Sequence, residues 1–189
     1  MRPDNSPEPD FVELGELTMV LLERGRRFGI RLWDKANPAR RLFTGLRWYP
    51  VRPEHRITAQ FVAYDPQRQL PVIDVLGDET LRPFSGYVCF TWQGEACRLE
   101  AEARGEKLFF NFGDLTNGDA TYGAGRFLYA DRPDGDLVTL DFNLATNPFC
   151  AYTNYATCPL PPPQNRLPVR IEAGEMRFPA AGDMRASKI

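Results

Sequence analysis

Between Gly86 and Phe112 the chain alternates apolar and polar residues almost without interruption. It runs GYVCFTWQ, a turn at Gln93–Gly94–Glu95, ACRLEAEA, a turn at Arg104–Gly105–Glu106, and KLFFNF. A period of two sends successive side chains to opposite faces of a strand, and turns this short join only antiparallel neighbours. No stretch of comparable length repeats at 3.6 residues, so helical bundles are excluded early. The pattern extends in both directions. LTMVLL (17–22) and FGIRLWD (28–34) read as a hairpin turning at Glu23–Arg27, and RITAQFVAY (56–64) alternates cleanly. QLPVIDVLG (69–77) is a further strand whose proline suits an edge. TYGAGRFLYA (121–130) and LVTLDFN (137–143) flank the turn DRPDGD, and Pro168–Ala173 reads as the last strand. The expected fold is all-β, a mostly antiparallel sandwich or partly closed barrel of about nine or ten strands with one long proline-rich loop. Residues 1–16 read as a flexible arm, 17–178 as a single β domain and 179–189 as a polar tail.

Composition narrows the function. With 43% hydrophobic residues and a formal charge of −2 over 189 residues, the chain is an ordinary globular domain with no basic stripe for nucleic acid. GLRWYPVRPEHR interleaves arginines with aromatics, but in an acidic chain cation–π contacts and sheet edges account for that. No apolar run approaches the roughly 18 residues that span a bilayer, and MRPDNSPEPD lacks a signal-peptide core, so the expected location is cytoplasmic, away from membranes. Cys89, Cys97, Cys150 and Cys158 are then expected as thiols. With no CxxC spacing and only His55 beside them, they make no zinc site. DLTNGD has its glycine out of place for an EF-hand, although Asp114, Asp119, Asp141 and Glu175 carry oxygen ligands. TYGAGRF holds a GxG that leads into a strand, so the dinucleotide fingerprint is missing. PLPPP (159–163) lacks the basic residue of an SH3 ligand and is expected to pack on Trp48 or Tyr49. No metal is expected, and no cofactor or oligomeric state follows from these residues.

The ordered series RFGIRLWD, FTGLRWYPVRPEHRITAQF, FNFGDLTNGDATYGAGRFL, LDFNLATNPFCAY and CPLPPPQNRLPVRIEAGE resembles the bacterial domain-of-unknown-function family 1684, from about Leu17 to Phe178. The resemblance implies that many members carry additional sequence N-terminal to the first hairpin. It supplies no catalytic residues, so the chemistry rests on the side chains themselves.

Pairing 121–130 with 137–143 through DRPDGD sets Arg126 opposite Asp141, or opposite Asn143 with a tighter turn at Asp134–Gly135. In either register Arg126, Leu128, Thr139, Asp141 and Asn143 share one face, and Val138, Leu140 and Phe142 the other. Next comes NPFCAYTNYATCPLPPPQNRL (147–167), too aromatic for disorder and stiffened by its prolines. If the loop 144–165 covers that polar face, it encloses a pocket for a small polar or anionic molecule. Arg126 and Arg31 would then pair the anion, and Tyr122, Asn143 and Asn147 would donate or accept hydrogen bonds. Asp114 and Asp141 would fix the arginine or contact the ligand. An enzymatic alternative, a hydrolase or transferase, uses Asp114 or Asp141 as base, or Cys150 as nucleophile. A carboxylate paired with Arg126 is a weak base at neutral pH, which favours binding. A third reading makes the polar groups a satisfied structural network, in which Asn143, Asn147, Asn154 and Asn165 pin the loop.

Overall fold

The computed structural model describes residues 1–153 and 155–178; Asn154 and the 179–189 tail lie outside the described residues. Nine strands divide into a three-stranded and a six-stranded antiparallel sheet. The chain falls into two compact units, Met1–Gly45 and Leu46 onward, where the sequence reading had one domain preceded by an arm.

In the N-terminal unit, β1 (Phe11–Leu14), β2 (Leu17–Arg24) and β3 (Arg27–Asp34) form a meander. The expected hairpin is present, turning at Gly25 with φ 58°. The stretch read as a free arm supplies β1, and Asp4 pairs with Arg24 of β2 at 2.6 Å.

The second unit is the barrel. Its strands are β4 (Arg56–Ile73), β5 (Glu79–Trp92), β6 (Glu95–Arg104), β7 (Lys107–Phe112), β8 (Arg126–Asp131) and β9 (Leu137–Asp141), ordered β8-β7-β6-β5-β4-β9. The two runs 56–64 and 69–77 are largely one strand, β4, whose register shifts between Ala63 and Arg68. Pro71 needs no N–H partner, because β9 pairs only with Arg56–Gln60 and leaves that end of β4 as an edge. The barrel nearly closes where Phe127 exchanges two backbone hydrogen bonds with Thr146, at 2.8 and 2.9 Å. Inside sit Val88, Leu99, Phe110, Phe112, Leu128, Leu140 and Phe142, all but solvent-free. Phe142 stands edge-on to Trp92 and Phe112, with ring centroids 5.3 and 5.6 Å away.

Two expectations fail here. First, β8 and β9 are not a hairpin: β8 pairs with β7 (Phe112 opposite Arg126) and β9 with β4 (Arg56 opposite Asp141). DRPDGD carries the chain from one end of the sheet to the other. Arg126 and Leu128 therefore face the same core as Val138 and Leu140, not the opposite side. Second, Pro168–Ala173 belongs to no sheet, and the chain bends at Pro168 and Val169. Leu167, Val169, Ile171 and Ala173 alternate into the core while Arg170 and Glu172 face out.

The proline cluster lies on the barrel, near Gly113 and Gly125. Gly125 has φ +91°, and an added Cβ would sit 2.5 Å from Pro161 Cγ and 2.6 Å from the Phe112 carbonyl. Backbone strain and overlap act together there. Gly125→Ala is expected to cost about 3 kcal/mol, checked by urea denaturation; a loss under about 1 kcal/mol would mean that the loop contact is loose.

Candidate functional site

Arg126 opens β8 with a fully buried side chain. Its Nη2 donates to Asp114 Oδ2 at 2.8 Å and to the Ile171 carbonyl at 2.8 Å, and its Nη1 donates to the Ala173 carbonyl. The other Asp114 oxygen accepts from the Thr116 N–H (2.8 Å), the Thr116 hydroxyl (2.6 Å) and the Ile171 N–H (3.2 Å). Of the two roles foreseen for Asp114, fixing the arginine is the one its geometry fits. Arg126 Nε alone is buried without a partner, and the Phe112 ring lies 5.3 Å from the guanidinium carbon.

Asp141 and Asn143 sit elsewhere, because β9 lies at the far end of the sheet. Asp141 caps a 3₁₀ turn (Phe142–Leu144) by accepting from the Asn143 N–H at 3.1 Å and from Asn143 Nδ2 at 2.9 Å. Asn143 in turn grips the Arg52 backbone, accepting from its N–H at 3.1 Å and donating to its carbonyl at 2.9 Å. Asn147 belongs to a third cluster. Its N–H and Nδ2 donate to the two oxygens of buried Glu175, both at 2.9 Å, and Tyr152 donates its hydroxyl to the same carboxylate. Burial, then the Glu175 charge, pushes the Tyr152 phenol up. Arg31 lies in the N-terminal unit, 3.6 Å from Asp4.

The loop 144–165 is strapped to the barrel. Fully buried Asn165 accepts from the Glu100 N–H (2.6 Å) and donates to the Glu100 (3.0 Å) and Asn111 (2.9 Å) carbonyls. Asn111 donates to the Pro159 carbonyl at 2.9 Å, and the Leu160 N–H donates to the Ile73 carbonyl at 2.8 Å. Pro161 packs near Gly113 and Gly125. Tyr122 donates to the Cys150 carbonyl at 3.0 Å, and the Cys150 N–H donates to Cys158 Sγ at 3.3 Å. Burial drives the Cys158 thiol up to about 11 and raises the Tyr122 phenol as well. Cys150, Asp114 and Asp141 thus lie in three different hydrogen-bonded environments.

One enclosed polar space does open on the barrel, and sequence patterning did not single it out. A cleft of about 100 Å³ is lined by Tyr49, Arg52, His55, Trp92, Gln93, Arg170 and Glu172. Three segments converge on it. Arg52 precedes, and His55 ends, a 3₁₀ turn (Pro53–His55) whose start is held by Asn143. Trp92 and Gln93 come from the β5–β6 turn, where Gln93 and Gly94 have φ 50° and 89°, as a two-residue hairpin with two left-handed positions requires. Arg170 and Glu172 are the outward residues of the segment that Arg126 and Asp114 hold. Trp92 Nε1 donates to the Arg170 carbonyl at 3.2 Å, and the His55 ring lies 5.6 Å from the Trp92 ring. His55 is buried, and its Nδ1 has no hydrogen-bond partner. Arg170 is already shared between Asp119 (2.9 Å) and Glu172 (3.1 Å), while Arg52 reaches Glu54 only at 4.0 Å. Burial, then Glu172, raises the Tyr49 phenol. The usable signal was the chain's one histidine within the aromatic–arginine run GLRWYPVRPEHR.

A larger, open depression of about 430 Å³ lies on the β5–β6 hairpin beside Cys89, Phe90 and Arg98. Among the described residues no group of three or more His, Cys, Asp or Glu side chains could hold a metal ion.

The family model for a protein of unknown function, DUF1684, matches residues 41–176. The chain belongs to the DUF1684 family. The match takes in the whole cleft and the Arg126–Asp114 node, and it begins later than the resemblance read from Leu17, leaving β1–β3 outside. An uncharacterised protein of Haloarcula marismortui, solved by solution NMR, is 33% identical with a TM-score of 0.60, over 72% of this chain and 78% of its own. No curated protein matches.

Two outcomes follow. Arg126→Ala leaves the buried Asp114 carboxylate without its countercharge and two carbonyls without their donor, and is expected to cost about 3–5 kcal/mol by urea denaturation; a loss below about 1 kcal/mol would mean that water replaces the guanidinium. With its thiol at about 11, Cys158 is expected to alkylate with iodoacetamide at about pH 8 at least tenfold more slowly than exposed Cys89. Peptide mass spectrometry reads this, and equal rates would show the loop opening.

Proposed function

We propose that this DUF1684 protein binds a small polar or anionic molecule, and that the ligand's charged end enters the cleft bounded by Tyr49, Arg52, His55 and Arg170. The observation that carries this reading is the convergence of Arg52, Arg170, His55, Gln93 and Tyr49 on one polar cleft. Arg52 adds a cation with only a long contact to Glu54, and Gln93 adds a carboxamide at the rim. At about 100 Å³ the cleft is small. That suits a carboxylate or phosphate head, with the rest of the molecule lying outside.

The alternative location, beneath the 144–165 loop, has less support, because Arg126 is committed to Asp114 and to two carbonyls. The same commitments weaken an enzymatic reading through Asp114, and Cys150 has no histidine beside it. The four free thiols support a reducing, cytoplasmic setting.

A thermal-shift series with inorganic phosphate, small carboxylates and phosphomonoesters tests the proposal. At about 100 times Kd, a ligand adds about 2.7 kcal/mol of stability. His55→Ala and Arg52→Ala are each expected to abolish that shift while leaving the unliganded protein folded. A wild-type chain indifferent to the whole series, or a shift that survives both substitutions, would overturn it.

A further inference from the structure

In the N-terminal unit one face of the sheet is apolar between its two ends and largely exposed on its two outer strands, while Phe11, Val20, Leu22 and Trp33 lie on the other face. Cross-strand register sets Val12, Met19 and Leu32 in one row, Leu21 and Ile30 in the next, and Leu14 beside Leu17. Phe28 lies 70% exposed, Ile30 68%, Leu14 67%, Leu32 50% and Val12 42%. Of all the residues from Met1 to Gly45, every one of them described, only Val20 is buried. Val20 belongs to the other face, where Asp4 reaches Arg24 and Arg31. A sheet becomes stable by packing its apolar face against a second layer, and three strands without one are marginal.

We propose that this face is an interface with a second copy of the same chain, packed sheet on sheet. Area argues for that occupant. The exposed apolar side chains amount to on the order of 600 Å² per copy, at the top of what a monomer's largest patch shows. Two such faces together remove about 1,200 Å² from water, the lower bound for a specific interface. The face is also suited to self-pairing. A two-fold contact needs one patch that complements itself, and the middle of this one holds no charge, its acids Glu23 and Asp34 lying at the two ends of the strands. Aligned packing at a spacing of about 10 Å would give each copy the layer its sheet lacks.

Sedimentation velocity of the full chain from about 5 to about 500 μM is the test. The expected result is a reversible monomer–dimer equilibrium with Kd between about 1 and 100 μM. Ile30→Asp, or Phe28→Lys if the first variant folds poorly, should weaken it at least tenfold. Tyr155→Ser, on a residue 90% exposed in the other unit, should leave it unchanged. A wild-type monomer throughout would overturn the proposal. That holds when hydrogen exchange finds β3 protected, meaning the face is covered from within the chain, and equally when β3 is unprotected and the face awaits a different protein. A dimer indifferent to both substitutions would overturn it too.

Discussion

The carboxylate of Asp114 and the guanidinium of Arg126 do for residues 169–173 what a neighbouring strand does elsewhere in a sheet. Ile171 donates its N–H to Asp114, and its carbonyl, with that of Ala173, accepts from Arg126. A segment whose side chains fill a core cannot leave its backbone groups unpaired at that depth. Here a buried ion pair takes the place of the ladder. Each ion is meanwhile desolvated at a cost of several kcal/mol, which only a nearly complete set of hydrogen bonds offsets. Four acceptances by the carboxylate and three of the guanidinium's five N–H donations make up most of that set, with Nε buried and without a partner. The C-terminal segment, the core beneath it and the cleft wall formed by Arg170 and Glu172 all depend on this substitution of side chains for strand.

That dependence explains what the sequence hid. Alternation at 167–173 is real, but period two reports which side chains are buried, not what pairs with the backbone between them. The same limit applied at β8 and β9. Each alternates correctly, and DRPDGD is a plausible hairpin turn, so adjacency in sequence was read as adjacency in the sheet. In a nearly closed barrel the two ends of the sheet also meet in space, and the chain crosses there instead of folding back. Changing the partner reset the phase of one strand against the other, which put Arg126 into the core and left Asp141 at the opposite edge. Strands between Gly86 and Phe112 were legible because their turns are too short for anything but antiparallel pairing. Asn147 and Asn165 were legible as types that pin irregular backbone, and Asp114 as a partner for Arg126. Their other partners were not, since Glu100, Ile171 and Glu175 are brought in by contacts far along the chain.

Asn143 shows how a residue can matter at a site without lying in it. Its carboxamide holds both backbone groups of Arg52, and Asp141 holds Asn143. The turn that carries His55 is thereby fixed to the end of β9. On the facing side, Gln93 occupies a left-handed position where glycine or asparagine would sit with less strain, a penalty on the order of 1 kcal/mol. The hairpin geometry explains the dihedral; it does not explain the choice of glutamine. A carboxamide carried on that turn reaches the cleft, and glycine would not.

The cleft and the three-stranded sheet also differ in how each could be tested by sequence change. Cleft walls come from Tyr49, the 52–55 turn, the β5–β6 turn and residues 170–172, so a substitution in any one wall moves groups held by separate hydrogen bonds. Coupling between Asn143 and His55 through the Arg52 backbone is what a double-mutant cycle measures. In the N-terminal sheet, by contrast, Phe28, Ile30 and Leu32 lie on one strand and act through area alone, so their substitutions should add. Non-additivity in the first case and additivity in the second would show that the barrel is built around a polar site, whereas the smaller sheet presents only apolar surface.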